Sequence, residues 1–163
     1  MAERRIRLVF GGGSIGLMGV VADAVLEAGG EAVGVIPDFL VKHEVAHRRL
    51  TETVVVDTMH QRKLRMFDLA DGFVVLPGGL GTLDEAIEIV TWKQLRLHAK
   101  PIVVVDVAGY WRPFKALFTS VIAGGFAHPG IADLVQFVDR VDDVFAALAQ
   151  APTPSPDVLS SHF

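Results

Sequence analysis

The sequence predicts an α/β fold, a doubly wound parallel sheet with helices on both faces. Three observations carry that expectation. Short apolar runs, GFVVL at 72–76 and PIVVVD at 101–106, have the character of strands buried on both faces. Segments with helical apolar spacing alternate with such runs, as right-handed βαβ units require. Glycine-rich turns stand where strands give way to helices, at 11–16 and 77–81. In open sheets of this kind ligands sit at the carboxyl ends of the strands, so a site is expected between the two turns.

In chain order, 5–10 is the first predicted strand. It runs into Gly11-Gly12-Gly13-Ser14-Ile15-Gly16, and a helix over 17–28 closes on Gly29-Gly30, where glycine suits a left-handed cap. A second strand, 31–36, stops at Pro37, and the next dozen residues mix charges without a period. A third strand covers 53–56. A helix over 58–70 draws its apolar positions from Met59, Leu64, Met66, Phe67 and Leu69. After the strand at 72–76 and its turn, Leu83, Ile87, Val90 and Leu95 recur at helical spacing to about residue 96. The strand at 101–106 leads through Gly109-Tyr110 into a helix ending near 122, with Pro113 tolerated in its first turn. A last strand is expected at 134–138 and a last helix at 141–149. Residues 1–150 read as one domain, and 151–163, rich in proline and serine, as a flexible tail.

Composition narrows the function classes. At 163 residues the chain can bury a core without staples, and it has no cysteine for disulfides, thiolate nucleophiles or thiolate metal sites. A net charge of −4 offers no basic footprint for nucleic acid. No apolar run approaches the roughly 18 residues a membrane span needs, and the first residues lack a secretory signal pattern. A soluble cytoplasmic protein is the plain reading.

The turn Pro77-Gly78-Gly79-Leu80-Gly81-Thr82-Leu83-Asp84-Glu85 carries the chemistry. Thr82-x-x-Glu85 reads as a capping box, with Thr82 as the cap and Glu85 reaching back to a backbone N–H. Three glycines are more than a cap requires. Such a turn lets the backbone approach an anion, and the free N–H groups and dipole of a helix start favour negative charge. It is not a Walker A loop, for no Lys-Ser or Lys-Thr follows the glycines. Gly11, Gly13 and Gly16 fit a dinucleotide fingerprint, with Glu31 near the expected ribose position, but a lone match is weak. His43-Glu44-Val45-Ala46-His47 fits a zinc-protease signature, yet the segment has no strong helical period, and surface histidines are the simpler reading. Arg62 and Lys63 oppose the dipole of their helix, so they form either a solvated basic face or a grip on an anion. Glu85 and Glu88 share a helix face, with Trp92 near it as packing or interface. Lys63 and Lys100 have no local support for a pyridoxal phosphate site.

Taken together, Gly11-Gly12-Gly13 with Gly16-Leu17-Met18-Gly19, Val35-Ile36-Pro37, Glu44-x-x-His47, Met59-His60-x-Arg62-Lys63, the glycine turn through Glu85, and Thr91-Trp92 resemble the LONELY GUY family of cytokinin-activating phosphoribohydrolases. Members have often been labelled lysine decarboxylases. The resemblance covers about residues 4–148 and accounts for Glu44 and His47 without zinc. It implies a Rossmann-like sheet, a homodimer or larger assembly, and no cofactor or metal. The implied reaction is hydrolysis of the N-glycosidic bond of AMP or a cytokinin riboside 5′-monophosphate, giving free base and ribose 5-phosphate. By position, Arg62 and Glu85 match the catalytic pair. Gly78, Gly79, Leu80, Gly81, Thr82, Leu83 and Asp84, with Glu44, Lys63 and Thr91, match substrate contacts, and Gly12, Gly13, Met18 and Glu88 are further candidates. Asp84 and Gln61 stand where many relatives have glutamate. Relatives begin with a further strand, turn and helix upstream of the segment matching Met1-Ala-Glu-Arg, so the expected sheet lacks that first strand and helix. A nucleotide-binding module without catalysis is the alternative this difference raises.

Overall fold

The computed structural model describes residues 1–42 and 46–151. The expectations placed on His43, Glu44 and the tail from Pro152 therefore lie outside the described residues. The chain divides into two compact units, Met1–Ala70 and Asp71–Phe163, taken in turn.

The first unit is a parallel sheet of β1 (Leu8–Phe10), β2 (Ala32–Pro37) and β3 (Glu52–Val56), in the order β1-β2-β3. Register runs from Leu8 opposite Ala32 to Phe10 opposite Gly34, and from Val33 opposite Glu52 to Pro37 opposite Val56. The central strand β2 is buried along its whole length. Pro37 ends it, where a missing N–H costs least. Helix α1 (Leu17–Glu27) joins β1 to β2, the short α2 (Asp38–Lys42) follows β2, and α3 (Met59–Leu69) follows β3.

Two expectations change here. The predicted strand at 5–10 shortens to Leu8–Phe10, because Ala2–Arg4 forms a 3-10 turn closed by Arg5 in the left-handed region (φ 54°). Asp38–Lys42, in the stretch without a period, is helical.

The second unit repeats the plan with β4 (Phe73–Val75), β5 (Ile102–Val105) and β6 (Gln136–Val138), all parallel, in the order β4-β5-β6. Helix α4 (Leu80–Gln94) links β4 to β5, α5 (Arg112–Ala123) links β5 to β6, and α6 (Val144–Ala149) closes the unit. The central β5 shows why an unbroken apolar run was needed. Ile102 and Val104 join a cluster with Ala86, Val90, Trp111 and Phe114, whereas Val103 and Val105 pack with Val144 and Ala147. Side chains alternate across a strand, so both sheet faces must be covered, and each buried valine contributes on the order of 1.5–3 kcal/mol. Each unit is thus the half-repeat from which Rossmann-like α/β folds are built, and the chain has that fold.

Boundaries in this unit also shift. The strand expected at 134–138 begins at Gln136, after a 3-10 turn over Pro129–Leu134, and the helix expected at 141–149 opens with a 3-10 turn before Val144. Val74 of β4 is exposed, so this strand is not buried on both faces as expected. In α4 the core-facing stripe is Ala86, Val90 and Lys93, while Ile87 and Leu95 are exposed. Lys93 lies almost wholly inside. Its ammonium donates to the Leu134 carbonyl at 3.0 Å, and burial pulls its pKa below the usual lysine value.

Candidate active site

In the second unit the glycine turn leaves β4 and opens α4, as the sequence indicates, but the cap differs. The N-cap is Gly79 (φ −95°, ψ −155°), and no side chain caps the helix. Thr82, expected as the cap, sits three residues inside, so the Thr82–Glu85 capping box does not form. The Leu83 N–H donates to the Gly79 carbonyl at 3.1 Å, the bond expected of an N-cap at Gly79. Thr82 closes the turn instead. Its hydroxyl packs where a side chain on residue 78 would start, which is why position 78 must be glycine.

Gly79 and Gly81 are different. Neither has a positive φ, and apart from the adjoining backbone no described atom lies within 4 Å of where their Cβ atoms would stand. Neither backbone conformation nor internal packing calls for glycine there. An open, side-chain-free surface at the uncapped start of a 15-residue helix is what an anion would fill. Leu80 beside it is 85% exposed. Leu83 packs against the core, and Asp84 is exposed. Glu85 and Glu88 follow along α4, both half-buried. The exposed Thr91 donates its hydroxyl to the Ile87 carbonyl at 2.8 Å and keeps its acceptor lone pairs.

The opposite edge of this turn is held by Tyr110, whose hydroxyl donates to the Gly78 carbonyl at 2.7 Å. Sequence reading used Tyr110 only as the approach to a helix. An aromatic residue shortly before a proline at a helix start gives no signal of what it will touch.

In the first unit, Arg62 lies in the first turns of α3. This helix is capped by Thr58, which accepts from the Gln61 N–H at 3.1 Å, while the Gln61 side chain accepts from the Asp57 N–H at 2.8 Å. Thr58 thus supplies the cap half of a Thr-x-x-Gln box, while the Gln61 side chain takes the N–H of Asp57, one residue before the cap, rather than that of Thr58 itself. From there the Arg62 side chain reaches the carboxyl ends of β1 and β2. Its Nε donates to the Val35 carbonyl at 3.2 Å, and its guanidinium occupies the space a side chain on residue 11 would need. Arg62 and Lys63 are half-buried, so this is not simply a solvated basic face.

Gly12 and Gly13 are buried beneath the first turn. The Gly12 carbonyl accepts from the His47 N–H at 2.8 Å, and Gly13 bridges Ala46. Met18 is exposed on the first turn of α1. His47 is not a surface residue, as its side chain is 5% exposed with Nε2 3.1 Å from Asp23 Oδ1. Arg49 pairs with the same carboxylate, and these two contacts hold Asp23 below the usual carboxylate range. His47 is thus committed to anchoring its segment. Among the described residues no group of three His, Cys, Asp or Glu could hold a metal. Glu31 precedes β2, with its carbonyl accepting from the Leu8 N–H. It therefore stands at the amino end of the strand, the wrong end for a ribose contact, and the dinucleotide reading fails there.

Two parallel α/β units, one with an open glycine turn at a helix start and one with an arginine at its strand ends, define a Rossmann-like α/β protein. Residues 18–148 match the family model described as "Possible lysine decarboxylase". A "Probable cytokinin riboside 5'-monophosphate phosphoribohydrolase" of Oryza sativa subsp. japonica is 40% identical over 160 residues, 98% of this chain and 65% of the relative. A "Cytokinin riboside 5'-monophosphate phosphoribohydrolase" of Rhodococcoides fascians is 42% identical over 149 residues, 91% and 75% of the two chains. One of Arabidopsis thaliana is 44% identical over 129 residues, 79% and 59%. The chain belongs to this family, and it spans between about three fifths and three quarters of the length of these three relatives. No helix among the described residues is long and apolar enough to cross a membrane.

Proposed function

We propose that the protein hydrolyses the N-glycosidic bond of AMP or of a cytokinin riboside 5′-monophosphate, releasing the free base and ribose 5-phosphate. The observation that carries the proposal is the pair Gly79 and Gly81, whose missing side chains leave an open cradle at an uncapped helix start. The names of the relatives supply the substrate class.

In this reading the backbone N–H groups of the turn bind the 5′-phosphate, and that binding energy orients the ribose for reaction. As the bond from C1′ to the base nitrogen breaks, positive charge spreads over C1′ and the ring oxygen. Glu85 stabilises that charge and takes a proton from the water whose oxygen bonds to C1′. The base leaves with the bonding pair and takes up a proton from solvent, while Glu85 returns the proton it removed from water to solvent. Arg62, too strong a base to act as acid, stabilises negative charge developing on the departing base. Glu44, Lys63 and Thr91 complete the substrate contacts. The active form is a cytoplasmic homodimer or larger assembly.

Product analysis tests this directly. The purified chain is incubated with AMP, isopentenyladenosine monophosphate, adenosine and lysine. Base is expected from the two monophosphates only, and Glu85→Gln and Arg62→Ala are expected to abolish release while remaining folded. Base release from adenosine at the same rate, or decarboxylation of lysine, would overturn the proposal.

A further inference from the structure

We propose that Tyr110 is a positioning residue for the phosphate-binding turn, an inference that rests on the phosphate reading of Gly79 and Gly81. Adjacent glycines at 78 and 79 leave the turn with little torsional stiffness of its own. The Tyr110 hydroxyl supplies it, donating to the Gly78 carbonyl at 2.7 Å. The Gly78–Gly79 peptide is trans, so fixing the carbonyl also fixes the opposite direction of the Gly79 N–H. That N–H stands beside the uncapped donors at the start of α4. A carbonyl that accepts a hydrogen bond also polarises its peptide, which strengthens the N–H as a donor to an anion.

The tyrosine is itself held. Its ring meets the buried Trp111 edge to face, 5.0 Å between centroids at 84°. The Trp111 backbone N–H donates to Asp106 Oδ1 at 2.6 Å, and the Tyr110 backbone N–H donates to the Val107 carbonyl at 3.1 Å. The loop leaving the central strand β5 thus delivers one hydroxyl to one carbonyl of the turn.

The test compares wild type, Tyr110→Phe and Asp106→Ala for ribose 5-phosphate binding, adenine binding, AMP turnover and melting temperature. Tyr110→Phe keeps the ring against Trp111 and loses only the hydroxyl. Loss of one hydrogen bond is expected to weaken ribose 5-phosphate binding and raise KM for AMP about three- to tenfold, with KM moving more than kcat. Adenine binding should not change, and the melting temperature should fall by no more than the few degrees that one hydrogen bond is worth. Asp106→Ala, which releases the loop, should shift phosphate binding in the same direction. Wild-type ribose 5-phosphate affinity in Tyr110→Phe, or an equal loss for adenine, overturns this inference alone. Failure of the wild type to bind ribose 5-phosphate or AMP overturns the phosphate reading and this inference with it.

Discussion

Replacing Gly81 by alanine should push stability and activity in opposite directions. Gly81 lies in the first turn of α4 with a φ any residue accepts, and apart from the adjoining helix backbone no described atom stands within 4 Å of the new methyl group. Inside a helix glycine is less favourable than alanine by about 0.8–1 kcal/mol, and the first turn should show about half of that or more. For a domain of this size 1 kcal/mol moves the melting temperature by about 2–4 °C, so Gly81→Ala should melt about 1–4 °C higher. The same methyl group projects into the cradle proposed for the phosphate. Displacing phosphate from even one backbone donor costs a charge-assisted hydrogen bond, about 1.5–3 kcal/mol, or roughly 10- to 150-fold in kcat/KM for AMP. Calorimetry and base release on the same preparation read both effects. A variant that melts higher and still turns over AMP at the wild-type rate would show that phosphate does not sit on this turn. A variant that melts lower would refute the unstrained, uncrowded backbone on which the argument rests.

Two further outcomes concern the fold itself. Thr58→Ala removes the cap of α3 and should destabilise the protein by about 1 kcal/mol in urea unfolding, with Thr58→Ser recovering most of it. His98 should make the protein less stable in mild acid. Its Nε2 lies 2.8 Å from the Ile89 carbonyl, and its Nδ1 accepts from the Lys100 N–H at 3.1 Å, an arrangement that suits the neutral ring. Burial, joined by the cations of Lys93 and Lys100, holds its pKa below the usual 6.5, against the opposing pull of the Ile89 carbonyl. The unfolded chain therefore takes up the proton first as pH falls below about 6.5. Its contribution is full above that pH and lost as pH drops through the lower folded value. Unfolding midpoints at pH 7.5 and 5.5 should differ less in His98→Gln than in wild type, and an unchanged difference would remove His98 as the cause.

The alternation of strands and helices was legible because β2 and β5 must be apolar on both faces, which writes unbroken runs such as IVVV into the sequence. The glycine turn was legible for the same local reason. Element ends were less so. In Gly78-Gly79-Leu80-Gly81-Thr82, a threonine is the better cap by chemistry, yet the helix starts at Leu80 and Thr82 turns to Gly78. The cap preference of threonine did not decide where the helix begins. His47 and Lys93 were missed for a different reason. Each is polar by composition and buried by virtue of a partner remote in sequence, Asp23 for one and the Leu134 carbonyl for the other. No pattern within one element announces such a partner. Glu31 looked well placed by counting from the first turn. The predicted strand at 31–36 already put it at the amino end, and the start of β2 at Ala32 confirms that it precedes the strand.

The guanidinium of Arg62 lies in the space that a side chain on residue 11 would enter, so the two positions are coupled. The atoms met there are the far end of a flexible side chain, so a methyl group at 11 displaces the guanidinium rather than breaking the turn. What such a change gives up is the bond from Arg62 Nε to the Val35 carbonyl. A library randomised at position 11 would therefore read out where Arg62 points, and an engineer altering this crest of the sheet should follow both residues together.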